Sequence, residues 1–255
     1  MAKKALSILA SNKYGFVLRV ESARIDHAGH LNDSAAMMSH ISAVDETLET
    51  LMAFVDQNPD TVLLILGSDH ACGNGALYGA GATYRASSKG IDLLANQKGS
   101  LELMQARLGA TPTTEQVTES YRTLKGMAIT PAQAQIVVDA ITKKVYLPDS
   151  VRYSIQPSNT LAWVMNQTDA ANPDRPNIGF HSGQHTAQPT MIAVYGKSLG
   201  MARIGLVDNT YTYTLMARLL GVRLKNPVMS EQEALAILAP KVTTAMNHPS
   251  DIIAL

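Results

Sequence analysis

Short, mostly apolar runs separated by one long amphipathic stretch most constrain how this chain can fold. Residues 16–20 and 61–66 are such runs, and residues 34–56 between them carry apolar side chains at spacings of three and four. The spacing predicts a long helix, and the apolar runs predict strands that are buried on both faces. Strand, helix and strand in this order are typical of an α/β domain with a mostly parallel sheet flanked by helices.

The rest of the chain divides into a helical middle part and a return of the sheet pattern. After a loop rich in Gly and Ala, apolar periodicity predicts helices over 93–108, 114–124 and 131–143, which we interpret as a helical insertion. The strand pattern returns at 190–195, and further helices are predicted over 211–220 and 231–238. The sequence therefore predicts a first part of the sheet domain, a helical insertion and the remainder of the sheet domain, over residues 1–70, 71–166 and 167–255.

Residues that favour helix ends support these boundaries. Thr111-Pro112 and Thr130-Pro131 each predict an N-cap followed by proline at the first helical position. Gln133 would complete a capping box with Thr130. Gly221 is a typical left-handed residue at a helix C-terminus, and Ser230 predicts the start of the last helix.

Composition excludes several classes of protein. The chain has 255 residues with 21 Lys and Arg against 21 Asp and Glu, and this neutral balance argues against binding to nucleic acid or to an anionic membrane surface. Cys72 is the single cysteine, which excludes a disulfide scaffold. No apolar run approaches the roughly 18–20 residues that span a bilayer. The first residues predict a short helix rather than a signal peptide.

Five of the seven histidines lie in three short segments at the edges of predicted strands: 20–30, 66–70 and 179–186. Because ligands of an open α/β sheet bind outside the carboxyl ends of its strands, we expect these segments to meet at one edge. Carboxylates and imidazoles are ligands that suit Zn²⁺, and Asp26 and His30 are spaced so that one helical turn could aim both at one ion. The alternative is that each Asp-His pair caps a helix and each histidine is a surface residue.

In their order along the chain, these segments strongly resemble the C-terminal part of alkaline phosphatases. The resemblance covers most of the chain, is weakest in the helical insertion, and over 30–38 looks most like the bacterial branch that includes the Vibrio enzyme. The matching segments are VE-x3-IDHAGH at 20–30, SDH at 68–70, SGQHT at 182–186, VYG at 194–196 and GLVDNT at 205–210.

The resemblance implies hydrolysis of phosphate monoesters at a site with two zinc ions and one magnesium ion. Two such metal ions would stabilise the attacking and leaving oxygens of an in-line displacement at phosphorus. The first zinc would bind and activate the hydrolytic water, and the second would activate a serine nucleophile. The implied ligands are Asp26, His30 and His185 for the first zinc, Asp69 and His70 for the second zinc, and Glu21 for magnesium.

Two further histidines lie close to the implied ligands, and each has two interpretations. His27 could contact phosphate or water, or it could be an exposed residue between two ligands. His181 could lie at the mouth of the substrate site, or it could belong only to the surface of its loop. For each of these histidines, the sequence leaves open both a role in the site and a purely structural or surface position.

The resemblance also implies residues that this chain does not contain. In the family, the nucleophilic serine and the phosphate-binding arginine lie before the segment that matches Glu21, so the chain is expected to represent about the second half of such a protein. Asp33-Ser34-Ala35 has the letters of the nucleophile signature, but its position at the start of the long helix argues against that role. Gly196-Lys197-Ser198 lacks the first glycine of a phosphate-binding loop.

Two functions follow as hypotheses. One is a phosphomonoester hydrolase, and the alternative is a non-catalytic metal-binding remnant or interaction fragment of the same fold. A relative that cleaves diesters or sulfates is a weaker interpretation, because that wider group shares the ligand scheme but not these segments. The resemblance implies a periplasmic or extracellular protein, and it leaves open a homodimer of the full-length form.

Overall fold

The computed structural model describes residues 1–79, 83–144, 156–167, 175–197 and 205–221, and these contain both helices and short strands. The predicted last helix at 231–238, with Ser230, lies outside the described residues. The helices are α1 (Ala2–Leu9), α2 (Arg24–His30), α3 (Ser34–Gln57), α4 (Tyr84–Ala95), α5 (Leu101–Leu108), α6 (Thr114–Ser120), a π-helix (Tyr121–Lys125), α7 (Pro131–Thr142), α8 (Pro157–Met165) and α9 (Tyr211–Leu219). The strands are β1 (Leu64–Leu66), β2 (Ala71–Cys72), β3 (Ala76–Leu77), β4 (Ile178–Gly179), β5 (His185–Thr186) and β6 (Ala193–Tyr195).

The long helix predicted over 34–56 is confirmed as α3, which begins and ends within one residue of the expected bounds. Asp33 is its N-cap, and the Asp33 side chain accepts a hydrogen bond from the backbone N–H of Ala36. Because a capping carboxylate satisfies one of the free N–H groups of the first turn, the helix start is fixed by local sequence. Asn58 and Pro59 follow its end.

The strands are shorter than predicted, and their pairing differs from the mostly parallel sheet expected. The described strands form three two-stranded pairs, β1 with β6, β2 with β5 and β3 with β4, and each pair is antiparallel. An apolar run indicates that a strand is buried, but it carries no information on the direction of its partner. The prediction of parallel pairing is therefore wrong for the described strands.

The apolar run at 16–20 does not form the buried strand that the sequence predicts. It has no regular secondary structure, and the side chains of Val17 and Val20 are about half exposed. The Phe16 ring lies edge-on to Phe54 of α3 with ring centroids 6.2 Å apart. A strand needs a neighbour that accepts and donates its backbone hydrogen bonds, and no described strand pairs with this run.

The main hydrophobic core lies among α5, α6, the π-helix, α7 and α8. Leu101, Met104, Val117, Tyr121 and Leu161 are fully buried in it. These elements confirm that the middle of the chain is helical, although the single helix predicted over 93–108 is divided into α4 and α5. Helix α8 is held in position by this packing.

The predicted helix caps are partly confirmed. Thr130 and Gln133 form a capping box at α7, with Pro131 at its first position. At α6 the prediction is wrong by two residues, because the capping box uses Thr113 and Gln116 rather than Thr111. Both boxes have the same chemistry, a threonine hydroxyl that accepts from the third helical residue.

The chain divides into two compact units, Met1–Ala202 and Arg203–Leu255. The described part of the second unit contains α9, followed by Gly221 in the predicted left-handed conformation at φ +64°. Among the described helices, none is both long and apolar enough to cross a membrane. The division of the sequence at 70 and 166 stays a prediction.

Candidate metal centre

Three of the predicted ligands, Asp26, His30 and His185, meet in space. Asp26 and His30 lie one turn apart on α2, and His185 lies on β5, more than 150 positions later in the chain. One ligand atom from each of the three lies within 4.8 Å of the other two. The structure thus brings together the residues that the resemblance assigns to the first zinc.

The distances between these ligand atoms suit one small cation. The Asp26 Oδ2 atom lies 3.5 Å from the His30 Nε2 atom, and the Asp26 Oδ1 atom lies 3.7 Å from the His185 Nε2 atom. Two ligands that each lie about 2.0–2.1 Å from a tetrahedral zinc are roughly 3.3–3.4 Å from each other. Each of the two separations exceeds this value by only a few tenths of an ångström, and each starts from a different oxygen of the Asp26 carboxylate.

The Asp26 carboxylate supplies an independent reason to place a cation here. Its Oδ1 atom is buried and has no hydrogen-bond partner among the described residues. A buried carboxylate oxygen without a donor or a cation is costly, because it has lost its water without compensation. The residues present therefore fit a divalent metal ion bound between Asp26 and the imidazoles.

The His30 ring is held in an orientation that leaves one nitrogen for a metal. Its Nδ1 atom lies 2.8 Å from the carbonyl oxygen of Gly183. Because a carbonyl oxygen can only accept a hydrogen bond, the Nδ1 atom donates, and in a neutral ring the lone pair then lies on the Nε2 atom that faces Asp26. A second hydrogen bond of this kind commonly fixes the tautomer of a metal-binding histidine.

His70 extends the cluster toward the predicted second zinc. Its ring stacks on that of His185 with centroids 3.5 Å apart and planes inclined by 22°. Its Nε2 atom lies 3.4 Å from the Oδ2 atom of Asp69, and its Nδ1 atom lies 3.9 Å from the Asp26 Oδ1 atom. The structure therefore places the Asp69-His70 pair beside the first group, with the Asp69 side chain largely exposed.

Glu21 is not brought into this cluster. Its carboxylate forms an exposed ion pair with Arg19 at 3.4 Å, and 62% of the Glu21 side chain is accessible. The group of ligand atoms that meets in the described residues consists of Asp26, His30 and His185. The magnesium assignment of Glu21 depends on the sequence motif alone.

His27 and His181 are both exposed and lie outside the group of ligand atoms. The His27 ring lies 3.3 Å from the Arg24 guanidinium, which also forms an ion pair with Glu102. The backbone N–H of His181 donates to the carbonyl of Gly73 at 3.0 Å. These contacts describe surface positions near the site, and they leave the two interpretations of each histidine open.

Ser34, whose position in the sequence argues against a role as nucleophile, is 2% exposed. It is the first residue of α3, and the preceding Asp33 is fully buried in its capping role. A nucleophile must reach a substrate that arrives from solvent, so the burial of Ser34 supports the rejection.

Several polar residues of the site are not indicated by the sequence motifs. Cys72 lies beside Asp26, and burial together with the Asp26 carboxylate raises the pKa of the Cys72 thiol to about 12, which keeps it protonated at neutral pH. The side chains of Gln156 and Asn159 donate to the carbonyl of His30. The one available signal was the polar run of Ser158, Asn159 and Thr160 directly before the apolar end of α8, since a buried amide requires partners.

Comparisons with known proteins identify relatives of this chain. A family model described as Alkaline phosphatase matches residues 1–222. Alkaline phosphatase 3 of Bacillus subtilis is 27% identical over 210 residues, which are 82% of this chain and 41% of that protein. The crystal structure of Thermus thermophilus alkaline phosphatase is 54% identical with a TM-score of 0.85, covering 94% of this chain and 50% of that chain.

A more distant structure, the cold-active alkaline phosphatase of a psychrophilic Shewanella, shares the fold at 23% identity and a TM-score of 0.60. The match covers 86% of this chain and 49% of the Shewanella chain. These likenesses confirm the α/β class predicted from the sequence. The chain spans about half the length of these relatives or less. With the family model matching most of its residues, the chain belongs to the alkaline phosphatase family.

Proposed function

We propose that this chain provides the metal-binding part of an alkaline phosphatase that hydrolyses phosphate monoesters. The observation that carries the proposal is the buried Oδ1 atom of Asp26, which accepts no hydrogen bond among the described residues and faces His185 within the group of three ligands. Members of the family generally use zinc and magnesium. Bound here, zinc would supply a local positive charge for an anionic ester, which the neutral composition of the chain does not provide.

In the proposed site, each protein residue has a distinct task. Asp26 would hold the first zinc with His30 and His185, the His30 ring being oriented by its hydrogen bond to Gly183. Asp69 and His70 would hold the second zinc next to it. Glu21 would bind magnesium, on the strength of its motif. The same proposal includes two properties that are general in the family. These are phosphate monoesters as substrates and a periplasmic or extracellular location.

Zinc binding by the 255-residue chain tests the ligand assignment. The chain is stripped of metal with a chelator and titrated with Zn²⁺ against a chromophoric competitor. We expect His185→Ala to weaken the tightest site by at least about 100-fold, because it removes one of three protein ligands. His40→Ala on α3, which lies outside the group of ligand atoms, is the matched control and should bind as the wild type does.

An assay with p-nitrophenyl phosphate, Zn²⁺ and Mg²⁺ separates the two functions. Turnover above background that Asp26→Asn abolishes and Ser34→Ala leaves intact supports the hydrolase. Tight zinc binding without turnover supports the alternative, a non-catalytic metal-binding protein. The burial of Ser34 favours this alternative for the isolated 255-residue chain, because it leaves Ser34 out of reach of a substrate. Turnover that Ser34→Ala abolishes would contradict the rejection of Ser34 as nucleophile.

A further inference from the structure

Two buried asparagine side chains connect three parts of the chain at the metal centre. The Asn159 Nδ2 group donates to the carbonyl of His30 at 2.9 Å and to the Oδ1 atom of Asn32 at 2.5 Å. The Asn32 Nδ2 group in turn donates to the carbonyl of Ser182 at 2.7 Å and to that of Gly29 at 3.2 Å. We call Asn32 and Asn159 the amide bridge.

We infer that the amide bridge positions His30 and His185 for zinc, an inference that rests on the proposed function. The two ligands come from α2 and β5, and Asn32 contacts the segments that carry both of them, at Gly29 and at Ser182. The His30 ring already contacts the carbonyl of Gly183 directly, and the amide bridge adds a second, buried connection between the same two segments. Its loss should let them move apart by the few tenths of an ångström that decide whether a metal fits.

The amide bridge can set a position because it is buried and its donors are used. Asn32 is 2% exposed and Asn159 is 1% exposed. Each Nδ2 group donates two hydrogen bonds to oxygen atoms. A buried amide network with its donors satisfied is rigid, since any displacement leaves a donor or an acceptor unpaired.

The bridge also links the metal centre to the helical core. Asn159 lies on α8, two positions before Leu161, which is fully buried in the main core. On the other side, a methyl group at Gly183 would lie 3.0 Å from both polar atoms of the Asn159 amide, so the loop before His185 is seated directly against it. The position of α8 is thereby transmitted to the backbone around both ligands.

Zinc affinity of the 255-residue chain tests this positioning role. We expect Asn159→Ala to weaken zinc binding by about 10- to 100-fold, the range typical of residues that orient metal ligands. Asn177→Ala is the matched control, because Asn177 is equally buried and its Nδ2 group also donates to two backbone carbonyls, those of Tyr78 and Ser87. The control should bind zinc as tightly as the wild type does.

A milder variant guards against misfolding of Asn159→Ala. Gln156 donates to the same His30 carbonyl at 3.0 Å, so Gln156→Ala removes one hydrogen bond to the ligand segment and should weaken zinc binding about 5-fold. Backbone hydrogen exchange without metal gives a second readout. Asn159→Ala should speed exchange at 29–33 and 181–186, and Asn177→Ala should not.

The outcomes separate this inference from the proposed function. Zinc binding by the wild type, with a loss in Asn159→Ala and in Gln156→Ala but not in Asn177→Ala, supports the amide bridge. Unchanged affinity in both Asn159→Ala and Gln156→Ala overturns the positioning role and leaves the metal site standing. A wild-type chain that binds no zinc overturns the proposed site, and the positioning role with it.

Discussion

The substitution Gly29→Ala tests how closely α2 and β2 must approach to form the metal centre. Gly29 lies on α2 between Asp26 and His30, and a methyl group there would lie 3.0 Å from the Cβ atom and 3.1 Å from the Sγ atom of Cys72. Atoms of this kind are normally about 3.5–4.0 Å apart. Strand β2 would therefore have to retreat from α2 by roughly 0.5 Å.

Two effects on stability oppose each other in this variant. Alanine in a helix is favoured over glycine by about 0.5–1 kcal/mol. Overpacking of a well-filled interface costs about 1–3 kcal/mol. We expect the overpacking to prevail, because the contact involves the backbone oxygen of Cys72 at 3.3 Å as well as its side chain. The free energy of unfolding should fall by about 1 kcal/mol.

Zinc affinity is the more sensitive measure of the same change. Strand β2 pairs with β5, with Cys72 opposite His185, so its retreat carries His185 away from Asp26 and His30. A shift of about 0.5 Å exceeds the ±0.2 Å tolerance of metal–ligand distances. We expect at least about a 10-fold loss of zinc affinity in a competition titration, together with the small loss of stability in urea denaturation.

Gly67→Ala is the matched control, since a methyl group at Gly67 meets nothing within 4 Å although the residue lies close to Asp69 and His70. It should bind zinc as the wild type does. Wild-type affinity in Gly29→Ala, or a gain in stability equal to the full helical preference of alanine, would refute the close approach on which this reasoning depends.

Three further predictions concern stability, each measured by urea denaturation. Burial lowers the pKa of Lys125 from its usual 10.5, more than Asp33 raises it, so between the lowered pKa and 10.5 the unfolded chain holds more protons than the folded chain. The stability of the wild type relative to Lys125→Met should therefore rise with pH over that interval, and an unchanged difference would contradict it. Thr130→Ala removes the capping box with Gln133 and should cost about 1 kcal/mol, against no more than a few tenths for Thr142→Ala at the exposed end of the same helix. Leu161→Ala opens a cavity in the helical core and should cost about 2–5 kcal/mol, and a loss below 1 kcal/mol would show that the site collapses.

Several of the helices could be predicted from the sequence, and the same sequence supplied the residues proposed as ligands. The start of α3 at Asp33 and the capping box of Thr130 depend on contacts over three or four positions, which the local sequence contains in full. The ligand residues were identified by type, by their spacing and by resemblance. These are properties of short segments, and the structure brings Asp26 and His30 together on one helical turn as their spacing predicts.

What only the tertiary structure decided depends on partners that are distant in the chain. The run at 16–20 has the composition of a strand but no described strand beside it, and β1 pairs in the antiparallel direction with β6. In the same way, Asn159 donates to the carbonyl of His30 across 129 positions. A hydrogen bond of this kind exists only after the core has placed α8, because neither residue carries in its own neighbourhood any information about the other. The sequence by itself thus determined which residues could bind a metal, and the long-range packing decided which of them meet.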